Sequence, residues 1–168
     1  MASRTSWVPD ALGQGLTYGL LFNGTDITTG PLGNGQTVLS TVADIANNTN
    51  LAMFMDISYR LTIASSTIAA GANIAFWIYN KNQNATAYGD NQFTAGTAAT
   101  LTPAFPPAAV VGIPAVASMT DLYGTATGII IPPGIFRVAM QNNSGFALSS
   151  TLGSQAVMYR SYNINLNA

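Results

Sequence analysis

From Leu51 to Ile63 every odd position is apolar (Leu51, Met53, Met55, Ile57, Tyr59, Leu61, Ile63), while the even positions run Ala52, Phe54, Asp56, Ser58, Arg60, Thr62. Period-two alternation of this length predicts a long strand with one buried face. A helix would scatter the odd residues round its circumference. After turn signals at Ser65-Ser66-Thr67 and Ala70-Gly71, the run Ala72 to Tyr79 predicts a second strand. It places Ile74, Phe76 and Ile78 on one face and Trp77 and Tyr79 on the other. Late in the chain, Thr127 to Ile131 leads into Pro132-Pro133-Gly134, read as a tight turn. Ile135 to Gln141 follows, with Phe136, Val138 and Met140 on one face. Asn142-Asn143-Ser144-Gly145 is another turn signal, and Val157 to Leu166 predicts a long final strand. The expected core is therefore Met53, Met55, Ile57, Tyr59 and Leu61 with Ile74, Phe76, Ile78, Phe136, Val138 and Met140. Residues 37–45 fit either a preceding strand or a short helix through Val38, Leu39, Val42 and Ile45.

Two segments break this pattern. Residues 1–36 carry turn signals throughout, such as Val8-Pro9-Asp10, Asn23-Gly24 and Gly33-Asn34-Gly35, with apolar residues between them that include Trp7, Leu20, Leu21 and Phe22. They read as an N-terminal arm that lies on its own domain or on a neighbour, and removing the first thirty or so residues is expected to leave the domain folded. Residues 82–122 are rich in Ala, Thr, Gly and Pro and contain Thr102-Pro103-Ala104-Phe105-Pro106-Pro107. So many prolines are incompatible with regular central strands. An irregular excursion of this length is usually functional or bound to a partner, with some short strand or helical turn inside it. Six to eight strands with strong turn punctuation predict an all-β protein, an antiparallel β-sandwich over residues 37–168.

Composition narrows the function. In 168 residues there is no His, no Cys and no Glu, and Lys81 is the only lysine. The common proton shuttle and metal ligand is therefore missing, and so is the thiolate nucleophile. The chain reads as a binding or building protein and not as an enzyme. Charged residues make up 7% of the sequence, against about 25% in an ordinary soluble domain. A surface so poor in charge favours association over mutual repulsion. There is no basic cluster to form a nucleic-acid groove, no apolar run long enough to span a bilayer, and no signal-peptide pattern at Met1-Ala2-Ser3-Arg4. No cysteine is present to build a disulfide framework or a cysteine zinc site. Sequons such as Asn47-Asn48-Thr49 and Asn142-Asn143-Ser144 are incidental in a chain this rich in Asn and Thr.

No nucleophile elbow, phosphate loop or aspartic-protease motif occurs. Two Asp could in principle serve a glycosidase, but nothing in the sequence pairs them. Asp90 and Asn91, or Asp121, could offer oxygens to calcium, as any loop could. No cofactor is implied. Asp56 and Arg60 share one strand face about 13 Å apart, too far to pair. Each needs a cross-strand or intersubunit partner, or water. Arg60, Arg137 and Arg160 are thus candidates for interface ion pairs, where Arg is the preferred cation.

The run Ala126 to Gly145 resembles the late hairpin of small jelly-roll virion proteins of tailed bacteriophages. An apolar strand, a Pro-Gly turn and a strand ending in an Asn/Ser-Gly turn recur in that group. The long strands between Leu51 and Tyr79, read as a pair, the Asn/Thr-rich composition and the N-terminal arm fit the same plan. The resemblance implies a jelly-roll fold and a structural role as a capsid cement or decoration protein on the virion, often a trimer, bound to the major capsid protein or other virion subunits. The expected interface residues are Trp7, Leu20, Leu21, Phe22, Arg60, Phe105, Arg137 and Arg160. Alternatives are a carbohydrate-binding β-sandwich module, or a tail or fibre component that stacks host glycan on Trp77, Tyr79 and Tyr88.

Overall fold

A computed structural model describes residues 4–9, 19–22, 32–40, 44–48, 51–81, 95–100, 103–149 and 155–167. Among them are ten strands: β1 (Arg4–Pro9), β2 (Gly19–Phe22), β3 (Thr37–Leu39), β4 (Ile45–Asn47), β5 (Phe54–Ser66), β6 (Asn73–Asn80), β7 (Ala109–Gly112), β8 (Met119–Ile130), β9 (Gly134–Asn143) and β10 (Ala156–Asn167). They form two sheets in which every strand pairing is antiparallel. The first runs β1-β10-β5-β8, with β2 also on β10; the second runs β3-β9-β6-β7, with β4 also on β9. β1 and β2 share one edge of β10, at Tyr162–Asn167 and Val157–Tyr159 respectively, and β3 and β4 divide one edge of β9 in the same way. Each split pair fills one position. Counted so, successive positions switch sheets at every step except β6 to β7, which is the strand order of a jelly roll, two interlocked Greek keys. The fold is an all-β jelly-roll sandwich.

The alternation in β5 supplies the inner face of the first sheet. Met55, Ile57, Tyr59, Leu61 and Ile63 are all buried against Ile74, Phe76, Phe136, Val138 and Met140 of the second sheet. Two expected core residues differ. Met53 is 57% exposed, because the strand starts one residue later and the chain reaches it from Leu51, whose φ is 47°. Ile78 is half-buried near the end of β6. The pairing of consecutive strands also differs from expectation. β5 and β6 lie in opposite sheets, and so do β8 and β9. Two successive strands that each carry one apolar face cover those faces by facing each other across the sandwich. Pro132-Pro133-Gly134 is accordingly a crossover and not a hairpin turn: Ile130 pairs with Phe54 in one sheet, while Gly134 pairs with Asn47 in the other. Gly134 has a φ of 103°, open to glycine alone at little cost.

The described parts of the N-terminal segment belong to the sandwich. β1 and β2 extend the first sheet, and Leu21, Phe22 and Leu32 are buried in the main core. The Ser40 hydroxyl donates to the Leu21 carbonyl. Leu21 and Phe22, expected at a subunit interface, are core residues, so removing the first thirty residues would open the core. The described parts of the long Pro/Ala/Thr-rich segment also fold back. β7 pairs with β6 inside it, and Ala95 and Ala99 bridge to Leu39 and Thr37. It covers the outer face of the second sheet, where Leu39, Ala75, Trp77, Tyr79 and Ala139 form a second small core. Of residues 37–45, the described ones form β3 and open β4, with no helix among them.

Candidate interaction surface

The arginines singled out from the sequence have partners within the chain. Arg137 donates from Nε to Asp44 Oδ1 at 2.8 Å and from Nη1 to the Ser40 carbonyl at 3.2 Å, and Lys81 Nζ donates to Asp44 Oδ2 at 2.8 Å. Arg60 lies 3.7 Å from Asp121 with half its side chain in water. That separation and exposure make a weak surface pair. Asp121 also accepts the Thr62 hydroxyl at 2.6 Å. Asp90 and Asn91, the alternative calcium candidates, lie outside the described residues, as does Tyr88. Among the described residues no three acidic groups gather.

Arg160 is held more firmly. It sits opposite Asp56 in the β10–β5 register, and its Nε and Nη2 donate to Asp56 Oδ2 at 3.0 and 2.8 Å. Asp56 Oδ1 accepts the Tyr162 hydroxyl and the Gly128 amide, each at 3.0 Å. The carboxylate is 1% exposed, although alternation puts it on the outward face of its sheet. Thr127 and Gly128 make this possible: Met55 pairs with Ile129 but Ile57 with Ala126, so β8 bulges opposite Asp56 and offers it a backbone donor. Burial, and then the hydrogen bond to Asp56 and its charge, push the Tyr162 phenol above its ordinary value. Nothing in the spacing of Asp56, Gly128, Arg160 and Tyr162 along the chain signals this cluster. It arises from strand register.

Around it the outer face of the first sheet mixes apolar and polar groups. Leu20, Met158, Ser58 and Thr125 form one register row, and Ala156, Arg60 and Tyr123 another. Leu20, Arg60, Thr125 and Tyr123 are exposed, Tyr123 at 65%. A third row runs Tyr162, Phe54, Ile130, with Tyr162 and Phe54 stacked at 5.8 Å. Beyond it an apolar groove of about 320 Å³ opens between Leu51, Met53, Phe54, Ile130 and Pro133. Leu51, Met53 and Ile130 are 55%, 57% and 77% exposed. Clustered large apolar side chains in water mark a contact surface more often than a bare surface.

Among the described residues, the opposite outer face offers no such platform. Trp77 and Tyr79 are 3% and 1% exposed. Trp77 Nε1 donates to the Phe105 carbonyl at 2.9 Å, and the Phe105 ring meets Tyr79 edge-on at 5.1 Å. Phe105 thus combines an exposed edge with a role in covering its own sheet. Trp77 and Tyr79 are unavailable for glycan stacking. Of the expected interface residues, Leu20, Arg60 and Phe105 are at the surface, Arg137 and Arg160 are ion-paired and partly covered, and Leu21 and Phe22 are interior. Trp7 is placed by its backbone pairing with Ile164. No protein family, curated protein or solved structure matches this chain.

Proposed function

We propose that this chain is a structural virion protein: a cement or decoration subunit that binds a phage head through non-covalent contacts with the major capsid protein or neighbouring virion subunits. In this reading it is not an enzyme, works without a cofactor, and assembles with itself, as a trimer in the arrangement its sequence resemblance implies. The observation that carries the reading is the outer face of the first sheet. Leu20, Tyr123 and Arg60 project from the strand-built outer face of a jelly roll in which Lys81, Arg137 and Arg160 are held in internal ion pairs. Jelly rolls recur in viral capsids, and Tyr and Arg on a partly apolar field are the composition of protein contact sites. The low charge of the chain suits a subunit surrounded by neighbours.

The test is co-sedimentation of purified protein with heads that lack it. Binding should be saturable, and Tyr123→Ser should weaken it at least about tenfold while leaving the fold intact, because that side chain is mostly in water. Absence of binding to any such particle would overturn the reading.

A further inference from the structure

The two sheets end in edges of unequal openness. β7 has four residues, with Pro106-Pro107 just before it and Pro114 just after. β3 and β4 have three each, and Leu39 and Thr37 of β3 are bridged by Ala95 and Ala99. β1 begins at Arg4 and ends at Pro9. Short strands, proline, charge and cover are the usual means by which an open edge is kept from pairing with another chain. β8 is different. It is twelve residues long, contains no proline and carries one charged residue, Asp121. Among the described residues it pairs with β5 on one side and with no strand on the other. Its backbone reaches water: Gly128 is exposed, and Gly124 is only half-buried although a Cβ there would meet the Tyr59 ring.

The open run has a stop at each end. Ser118, just before it, has a φ of 61° in the left-handed region. At the other end the bulge at Thr127-Gly128 breaks the ladder, where Gly128 gives its amide to Asp56. Between the stops lie nine residues, Met119 to Thr127, with Tyr123 at their midpoint. A strand that pairs antiparallel with its own copy does so about a residue that stands opposite itself, and a two-fold at Tyr123 pairs the whole run. On the outer face it sets Tyr123 beside its own counterpart and Asp121 opposite Thr125, a carboxylate facing a hydroxyl. On the inner face it sets Leu122 opposite Gly124, so a large residue meets a small one twice. The two Asp121 carboxylates stand four positions apart, about 13 Å along the strand, and each keeps its own Arg60 at 3.7 Å.

We infer that β8 of one copy adds antiparallel to β8 of a second copy about a two-fold axis at Tyr123, joining two first sheets into one continuous sheet. The occupant is a second copy because the open run is its own complement. It is bounded by the same two stops, it opposes no like charges, and it sets Leu122 against Gly124, where Tyr59 already takes the place of a side chain. Main-chain hydrogen bonds supply the attraction and the side-chain pairs fix the register. A two-fold normal to the sheet leaves the outer faces of both copies on the same side. The contact is isologous: alone it gives a dimer, and beside a threefold contact it ties one trimer to the next. It does not depend on the capsid reading, and its test uses the protein alone.

Disulfide trapping decides it, because the chain has no cysteine of its own. Opposed Cα atoms in an antiparallel pair are about 4.5–5.5 Å apart, within the span that a disulfide bridges. Under mild oxidation the full chain carrying Tyr123→Cys should link to its counterpart at least about tenfold faster than one carrying Thr125→Cys, whose counterpart lies about 13 Å away along the strand. An equimolar mixture of Thr125→Cys and Asp121→Cys should link as a mixed pair. Tyr123 and Thr125 are exposed, and circular dichroism checks that each variant is folded. A test without cysteine uses Tyr123→Lys, which sets two like charges face to face at the axis. In sedimentation velocity it should shift association to at least about tenfold higher concentration. Tyr123→Cys linking no faster than Thr125→Cys, a mixture that does not link, or a Tyr123→Lys chain that associates like the unsubstituted one would overturn the proposal. So would an unsubstituted chain that is monomeric over the whole concentration range.

Discussion

Replacing Asp56 with Asn should be among the most damaging single-atom changes available to this protein. Both carboxylate oxygens are in use: Oδ2 takes two donors from Arg160, and Oδ1 takes the Tyr162 hydroxyl and the Gly128 amide. An amide of the same shape must present its NH₂ either to the guanidinium or to the hydroxyl and the backbone N–H, so donors face donors on one side. It also removes the charge opposite Arg160. Breaking a buried ion pair from one side costs about 3–5 kcal/mol. The Arg160 side chain is 27% exposed and can recover part of its hydration, so the lower end, about 3 kcal/mol, is expected. With a urea slope of about 2 kcal/mol/M the midpoint should fall by about 1.5 M. The companion variant Asp56→Leu/Arg160→Met removes both charges and should recover to within about 2 kcal/mol of the parent, the remainder being the acceptor lost to the Tyr162 hydroxyl and the Gly128 amide. Equilibrium urea unfolding followed by tryptophan fluorescence measures both. A midpoint shift below about 0.3 M for Asp56→Asn would refute the cluster as described, and a double variant no better than the single one would refute the pairing argument.

Gly124→Ala should destabilise by about 1–3 kcal/mol, because its new methyl meets the Tyr59 ring in the core; thermal unfolding would show it, and pairing with Tyr59→Leu should relieve it. Tyr59→Phe alone should be neutral or stabilising near pH 7, since the buried Tyr59 hydroxyl has no hydrogen-bond partner. The same variant tests a pH effect: burial pushes the Tyr59 phenol up to about 12. A raised acid contributes nothing below pH 10 and loses the chain about 2–3 kcal/mol as pH rises from 10 to 12, a loss that Tyr59→Phe should remove from the alkaline limb of a stability profile. Ile57→Ala, at a fully buried site, should cost about 2–5 kcal/mol in the same urea assay.

Much of the fold is legible from alternation alone. The run from Met55 to Ile63 fixes a strand and its buried face without any tertiary knowledge, and the Phe136, Val138, Met140 face follows in the same way. Alternation says which face is buried but not which strand lies beside which. The β5/β6 and β8/β9 connections therefore read as hairpins when they are crossovers. The Pro132-Pro133-Gly134 sequence suits either geometry. Leu21 and Phe22 are obscured by the glycines on either side, Gly19 and Gly24: a short strand of which only part is buried shows no period. Trp77 and Tyr79 alternate correctly, but their cover comes from Phe105, a residue in a Pro-rich stretch with no periodicity. The interaction surface was less visible still. Arg60 and Leu20 could be picked from composition, whereas the Asp56 cluster depends on a bulge at Thr127-Gly128 that only the strand register reveals.

The proposed role of this jelly roll as a structural subunit of a virion is tested by a density map of particles saturated with the purified protein. Ordered jelly-roll density should stand in many symmetry-related copies on the head, with the outer face of the first sheet, through Leu20, Arg60 and Tyr123, against the capsid shell. Particles that carry no such density after incubation, or density bound through the Phe105-covered face of the second sheet, would contradict it.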